Sequence, residues 1–212
     1  MNWRYRHTVL ALCTLAFAST MLARLVISPV VPDVTNHFDV STGAVGLALS
    51  GMWAAYAFTQ FPSGILGDRF GERRVILAAV GITAAASLSL SLSPTFAVFA
   101  VLTVVLGAGA GLHYSVATTL LTKEFDDIGR AIGLHVAGGP LAGLIAPVVA
   151  TAVAVRFGWR AAIAVGAAVA LPAFVAFAWR VERTTPERPD ESMRDRMAIR
   201  PLIAVLSRPP IA

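Results

Sequence analysis

The chain has 212 residues, of which 57% are hydrophobic and only 14% charged, with a mean hydropathy of +0.73. Polar side chains are too few to clothe a globule of this size, which excludes a disordered chain and argues against a water-soluble fold. The net charge of +5 comes from seventeen Lys and Arg against twelve Asp and Glu, and because the basic residues lie between apolar runs with no interleaved aromatics, they argue against nucleic acid as a partner. The single Cys13 sits in an apolar run and has no second cysteine for an intrachain disulfide.

A helix needs about 20 apolar residues to cross a bilayer. Six stretches meet or approach that length, at 8–31, 43–66, 75–92, 96–121, 131–155 and 161–179. They are separated by Pro32-Asp33 and Asn36-His37, by Gly67-Asp68-Arg69, by Ser93-Pro94, by Lys123-Glu124 and by Arg156 to Arg160, and Arg180 closes the last. The expected fold is an all-α polytopic membrane protein, with a bundle over 1–179 and a charged linker over 180–212. With the N-terminus cytoplasmic, fourteen basic residues fall inside and only Arg156 and Arg160 outside, so this orientation satisfies the positive-inside rule. The chain is then expected in the cell membrane, with its N-terminus and linker in the cytoplasm. Two rivals exist. Arg4 to Ala18 has the pattern of a cleavable signal peptide, although apolar residues run on toward Val31. Ser87, Ser89, Ser91 and Ser93 alternate as in a β-barrel strand, but they form the one such patch and fit the outer end of the third helix.

No Asp or Glu lies inside the six stretches, and their ionisable side chains are Arg24, His113 and His135. Charge at that depth is costly and therefore marks function by default. Arg24 has two readings. It lies about seven residues, roughly 10 Å, from the outer end of its helix and could snorkel there, or it could face a cavity, where its planar fork suits a carboxylate or phosphate. In the second stretch Trp53, Tyr56 and Gln60 share a helical face, which fits a solute path or aromatic packing. His113 and Tyr114 in the fourth and His135 in the fifth could relay a proton or, as neutral rings, hydrogen-bond a neighbouring helix. The four His are scattered without ligand spacing, so no metal and no cofactor is expected. Nor is there a nucleophile and base constellation to suggest an enzyme.

Gly107 to Gly111 lacks the Lys-Ser or Lys-Thr of a phosphate loop. The pairs Gly107 and Gly111, and Gly139 and Gly143, instead have the four-residue spacing of close helix approach. Pro140 and Pro147 are expected to loosen the fifth helix. At an offset of 87 residues, Arg69-Phe70-Gly71-Glu72-Arg73 aligns with Arg156-Phe157-Gly158-Trp159-Arg160, and the first three stretches fall on the last three. A unit of three crossings repeated once must be inverted, the arrangement common in transporters.

The loop Gly64-Ile65-Leu66-Gly67-Asp68-Arg69-Phe70-Gly71-Glu72-Arg73-Arg74 resembles the signature loop of the major facilitator superfamily, and the resemblance extends over essentially the whole chain. It implies a tight glycine turn, here Gly71, presenting Asp68, Arg69 and Arg73 as a cytoplasmic gate that binds helix ends in one conformation and releases them in another. Glu72 stands where the family usually has a basic residue. Gly107 to Gly111 resembles the fourth-span glycine motif, with Thr103 in place of an Arg associated with proton coupling, and Gly139 to Leu144 partly resembles the antiporter motif of the fifth span. Phe157-Gly158-Trp159-Arg160 is similar to a feature of the loop before the sixth span. Family members have two six-span halves, so the chain reads as an N-terminal half, whether cut from a longer protein or encoded alone. The implied function is alternating-access transport of a small solute, an organic anion where Arg24 faces the cavity, through a cavity containing Arg24, Tyr56, Gln60, His113, Tyr114 and His135. The partners would be the bilayer and a C-terminal half. The alternative is a non-transporting partner subunit or remnant. Ile199, Leu202, Ile203 and Leu206 share an apolar spacing that suits a short helix lying on the membrane.

Overall fold

The computed structural model describes residues 3–191, so the 199–206 spacing lies outside the described residues. All regular structure among them is helical: α1 (Trp3–Leu25), a 3-10 turn (Ser28–Val30), α2 (Val31–Phe38), α3 (Thr42–Phe70), α4 (Glu72–Ser91), α5 (Phe96–Gly111), α6 (His113–Glu124) and α7 (Ile128–Arg180). Four segments are long and apolar enough to cross a bilayer, namely Tyr5–Phe38, Glu72–Ser91, Phe96–Glu124 and Ile128–Arg180. Six crossings are expected from the sequence. The difference lies in α3, whose Trp53, Tyr56, Thr59 and Gln60 dilute its apolar run, and in α7, which holds the fifth and sixth stretches in one 53-residue element.

Several expected breaks are narrower than the sequence suggests. Pro32 does not end the first helical run. It occupies the first turn of α2, where a missing N–H is tolerated, and the run stops only at Asp39 in the left-handed region (φ 53°). Ser41 then caps α3 by accepting the Ala44 N–H at 3.2 Å. The glycine-rich loop after the second stretch is mostly helix: α3 runs to Phe70, and Gly71 alone (φ 85°, ψ 141°) turns the chain into α4. Gly158 (φ 81°, ψ 166°) interrupts α7 in nearly the same conformation. L side chains rarely adopt such angles, so glycine is needed at both places. The helix continues over Pro140 and Pro147.

Contacts at the two ends of the bundle give the path of α7. Its start lies beside α1, where Arg6 and Asp126 approach to 3.8 Å. Its middle lies at the opposite end, where Trp159 packs on His37, Phe38 and Phe99 and Arg160 donates to the Ser93 carbonyl at 2.9 Å. Its end returns to α1, where the Glu182 N–H donates to the Tyr5 hydroxyl at 3.0 Å. A straight helix of this length would reach about 80 Å, so the break at Gly158 is what folds it back.

α1 packs chiefly on α7, α3 on α5, and α4 on α5 and α7. One apolar cluster, with Leu22, Val26, Ile27, Phe99 and Leu106, fills the Trp159 end. A second, with Val9, Val75, Val116, Leu121 and Phe177, fills the end near Tyr5 and Arg73. Small residues let the backbones meet: a Cβ on Gly107 would overlap the Met52 carbonyl, and one on Gly111 the Tyr56 carbonyl and Thr59 hydroxyl, all on α3. In the first part of α7 the close approach is made by Gly138, against the Thr14 carbonyl, and by Gly139, against the Phe17 ring, where added Cβ atoms would sit at 2.9 Å, and in the second part by Gly166, against the Ser87 hydroxyl. Gly143, which the spacing pairs with Gly139, leaves room: its Cβ would meet Leu25 at an ordinary 3.9 Å.

Candidate functional site

The six cavity candidates fall into three groups. Arg24, on α1, is 1% exposed. Its Nε donates to the Thr20 carbonyl at 3.1 Å and one terminal nitrogen to the Met21 sulfur at 3.0 Å. The guanidinium lies over two α3 rings, 3.9 Å from the Tyr56 centroid and 4.7 Å from that of Trp53. Cation–π attraction is worth about 2 kcal/mol or more when desolvated, which helps hold a buried cation. The group takes part in no ion pair among the described residues, and Nη1 is buried without a hydrogen-bond partner. Trp53, by contrast, is 41% exposed, so the aromatic cover over Arg24 faces out of the bundle.

The second group is a stack. His113 and His135 are fully buried with ring centroids 5.6 Å apart, and Tyr114 lies 6.2 Å from His135. Phe17 of α1 contacts all three rings, at 6.0, 5.8 and 5.1 Å from His113, Tyr114 and His135. None of the four histidine ring nitrogens has a hydrogen-bond partner among the described residues. Gln60 belongs to neither group; its backbone carbonyl accepts from Ser115 on α6 at 3.1 Å. Trp53 stands on the face already singled out with Tyr56, whereas Phe17 and Met21 are contributors that the sequence reading does not single out. The signal was available in part: Phe17, Met21 and Arg24 have i, i+4, i+7 spacing, so one face of α1 serves both groups.

At the opposite depth, the last residues of α3, Gly71 and the first residues of α4 gather the chain that follows α7. Arg73 donates from Nη2 to the Ala178 carbonyl at 2.6 Å and from Nε to the Val181 carbonyl at 2.8 Å, so a cation closes the negative end of α7. Its backbone N–H donates to the Thr184 hydroxyl at 3.1 Å. A Cβ on Gly71 would lie 2.6 Å from the Thr184 carbonyl, so the turn needs glycine for space as well as for φ. The Asp68 carbonyl accepts the Arg188 N–H at 2.9 Å, and Arg69 donates to the Glu191 carbonyl at 3.4 Å. Glu72 is 1% exposed and pairs with Lys123, which also pairs with Glu187. An acidic residue at this position is thus matched by a lysine at the end of α6.

Losing one member of a buried pair strands the other charge. Lys123→Met is therefore expected to destabilise the protein by about 3 kcal/mol, the low end of that cost, because the lysine is 37% exposed. Adding Glu72→Gln should recover most of the loss. Thermal unfolding in detergent measures both, and equal stability of Lys123→Met and the parent would mean that the pair carries nothing.

No group of three or more His, Cys, Asp or Glu able to hold a metal occurs among the described residues. Residues 13–212 match the family model described as Major Facilitator Superfamily. A curated relative named "Probable sulfoacetate transporter SauU", from Cupriavidus necator (strain ATCC 17699 / DSM 428 / KCTC 22496 / NCIMB 10442 / H16 / Stanier 337), is 29% identical over 168 residues, covering 78% of this chain and 39% of its own length. The "Hexuronate transporter" of Bacillus subtilis (strain 168) is 24% identical over 190 residues, covering 88% of this chain and 44% of its own. The chain thus spans less than half the length of these relatives, which are transporters rather than enzymes. Among solved structures, a bacterial homologue of the human lysosomal transporter Spinster, in an inward-facing and unoccupied conformation, superposes with a TM-score of 0.80 at 19% identity, over 88% of this chain and 45% of its own. A glycine turn flanked by Asp68, Arg69 and Arg73, an all-helical membrane bundle and a family match over nearly the full sequence agree: the chain belongs to the Major Facilitator Superfamily.

Proposed function

We propose that the chain is the N-terminal half of a secondary transporter that moves a small organic anion, a carboxylate or sulfonate, by alternating access. The observation that carries this reading is Arg24: a fully buried guanidinium, stacked on two rings, without an acidic partner among the described residues and with one nitrogen unsatisfied. An anion supplied by solute would neutralise it and fill the vacant donor. The relatives named for sulfoacetate and hexuronate, both anions, support the class of solute.

In this reading the chain crosses the membrane six times, as α1 with α2, α3, α4, α5 with α6, and the two parts of α7. The first three crossings and the last three form an inverted pair. Support comes from contacts that repeat at the sequence offset of 87. Arg73 binds carbonyls of residues 178 and 181, and Arg160, its counterpart, binds that of Ser93, close to positions 91 and 94 that the offset assigns. Gly71 and Gly158, also paired by the offset, share one backbone conformation. The excess of Arg and Lys at the Arg73 end supports a cytoplasmic location for that end and for the 180–212 linker. Asp68, Arg69, Gly71 and Arg73 would then be the gate, and a second six-span half would cover the exposed face beside Trp53. Tyr114 and Gln60, both half-buried, would complete the proposed cavity wall, with the fully buried His113 and His135 backing it.

Because Trp53 lies against Arg24, its fluorescence should report an anion arriving there. Titrating the purified protein with sulfoacetate and glucuronate is expected to give a saturable change that Trp53→Phe removes. No change with either anion at millimolar concentration would overturn the anion reading.

A further inference from the structure

A groove of about 860 Å³ runs between the start of α1 and the end of α7, far from Arg24. On α7 its wall is Leu171, Val175 and Trp179, spaced four residues apart on one face, and on α1 it includes Leu12. Leu171 and Val175 are 49% and 41% exposed and Trp179 82%, so the groove opens sideways onto the flank of the bundle. Its rim is polar: Arg180 and His7 line the top, at the end where Tyr5 meets Glu182. Arg180 is exposed and engages in no ion pair among the described residues.

Dimensions and charge together select an occupant. From Leu171 to Arg180 is nine residues, about 14 Å along the helix, close to the roughly 15 Å of one leaflet in a hydrocarbon core about 30 Å thick. Arg180 then stands at headgroup depth and Trp179 at the interface, where indole rings concentrate. The apolar wall suits an acyl chain, and the unneutralised cation above it suits a negative headgroup.

We infer that this groove binds one anionic phospholipid, with its headgroup on Arg180 and an acyl chain along Leu171, Val175 and Leu12. A zwitterionic lipid of the same chains would fill the groove but gain little from Arg180. The site is independent of the transported solute.

Native mass spectrometry of the full chain, purified in detergent and mixed with dioleoyl phosphatidylglycerol or dioleoyl phosphatidylcholine, tests this. One phosphatidylglycerol per chain is expected to be retained in preference to phosphatidylcholine. Arg180→Gln should cut that preference about fivefold. Val175→Trp, which fills the groove and leaves Arg180 in place, should expel both lipids while the helical circular dichroism stays unchanged. Equal retention of the two lipids, or an unchanged preference in Arg180→Gln, would overturn the assignment. So would displacement of the lipid by glycerophosphoglycerol at equal concentration, which would mean that a free phosphodiester suffices, or a second copy of the chain taking the lipid's place.

Discussion

Arg24→Ala is expected to abolish anion binding while the protein still folds and inserts. The two outcomes separate because Arg24 contributes to the ligand far more than to the fold. Within the protein its guanidinium makes one hydrogen bond to the Thr20 carbonyl and one to the Met21 sulfur, and otherwise rests on Tyr56 and Trp53. Alanine leaves no buried charge behind, so the fold loses packing and sheds a desolvation cost at the same time. A bound carboxylate or sulfonate would lose the charge-assisted hydrogen bond from Nη1, worth the upper end of about 1.5–3 kcal/mol at a buried site, which corresponds to roughly a 100-fold loss of affinity. Arg24→Lys is the sharper variant. It keeps the charge but not the planar fork or its stacking on the rings, so binding should recover only in small part. The measurement is the Trp53 fluorescence titration, with uptake of labelled anion into proteoliposomes as the transport readout. If Arg24→Ala binds sulfoacetate and glucuronate as the parent does, Arg24 is a structural cation and the proposed site fails.

How far that site could be read from sequence depends on the kind of information each part needed. Arg24 stood out because a charge in an apolar run is visible one residue at a time, and Tyr56 with Trp53 because helical spacing is a local property. The meeting of His113 with His135 was not legible. It depends on how α6 packs against α7 and on Phe17 of α1 lying against both rings, which no spacing within one helix encodes. Helix breaks look wider in the sequence than in the fold for a related reason. Pro32 and the Gly67 to Arg69 run look like stops, yet proline is harmless in a first helical turn and Gly67 lies within the helix, so only Gly71 departs from helical geometry. Glu72 was the reverse case. Its charge is matched by a lysine at position 123, beyond any local window.

The second large effect concerns Gly107, where Gly107→Ala should destabilise the bundle although alanine is the better helix former. A helical glycine replaced by alanine in open space gains about 0.8–1 kcal/mol. Gly46, on α3, supplies that case, since a Cβ there meets nothing within 4 Å. At Gly107 the added Cβ would overlap the carbonyl oxygen of Met52, and its carbon and Cα are at 2.8 and 3.0 Å. These are backbone atoms inside a continuous helix, so they cannot rotate away as a side-chain tip could. α5 must back off from α3, and the contacts around it then open as well. Overpacking a tight core costs about 1–3 kcal/mol and occasionally more, and a backbone obstacle puts Gly107→Ala at the upper end. Gly107→Leu should prevent recovery of folded protein. Gly46→Ala and Gly107→Ala are therefore expected to shift the thermal unfolding midpoint in detergent in opposite directions. Because α3 also carries Tyr56 and Trp53, displacing it should loosen the stack over Arg24. Gly107→Ala is thus expected to weaken anion binding from a position that touches no ligand. A Gly107→Ala protein as stable as Gly46→Ala would mean that α3 and α5 leave room for a methyl group at Gly107, and the packing argument would fail.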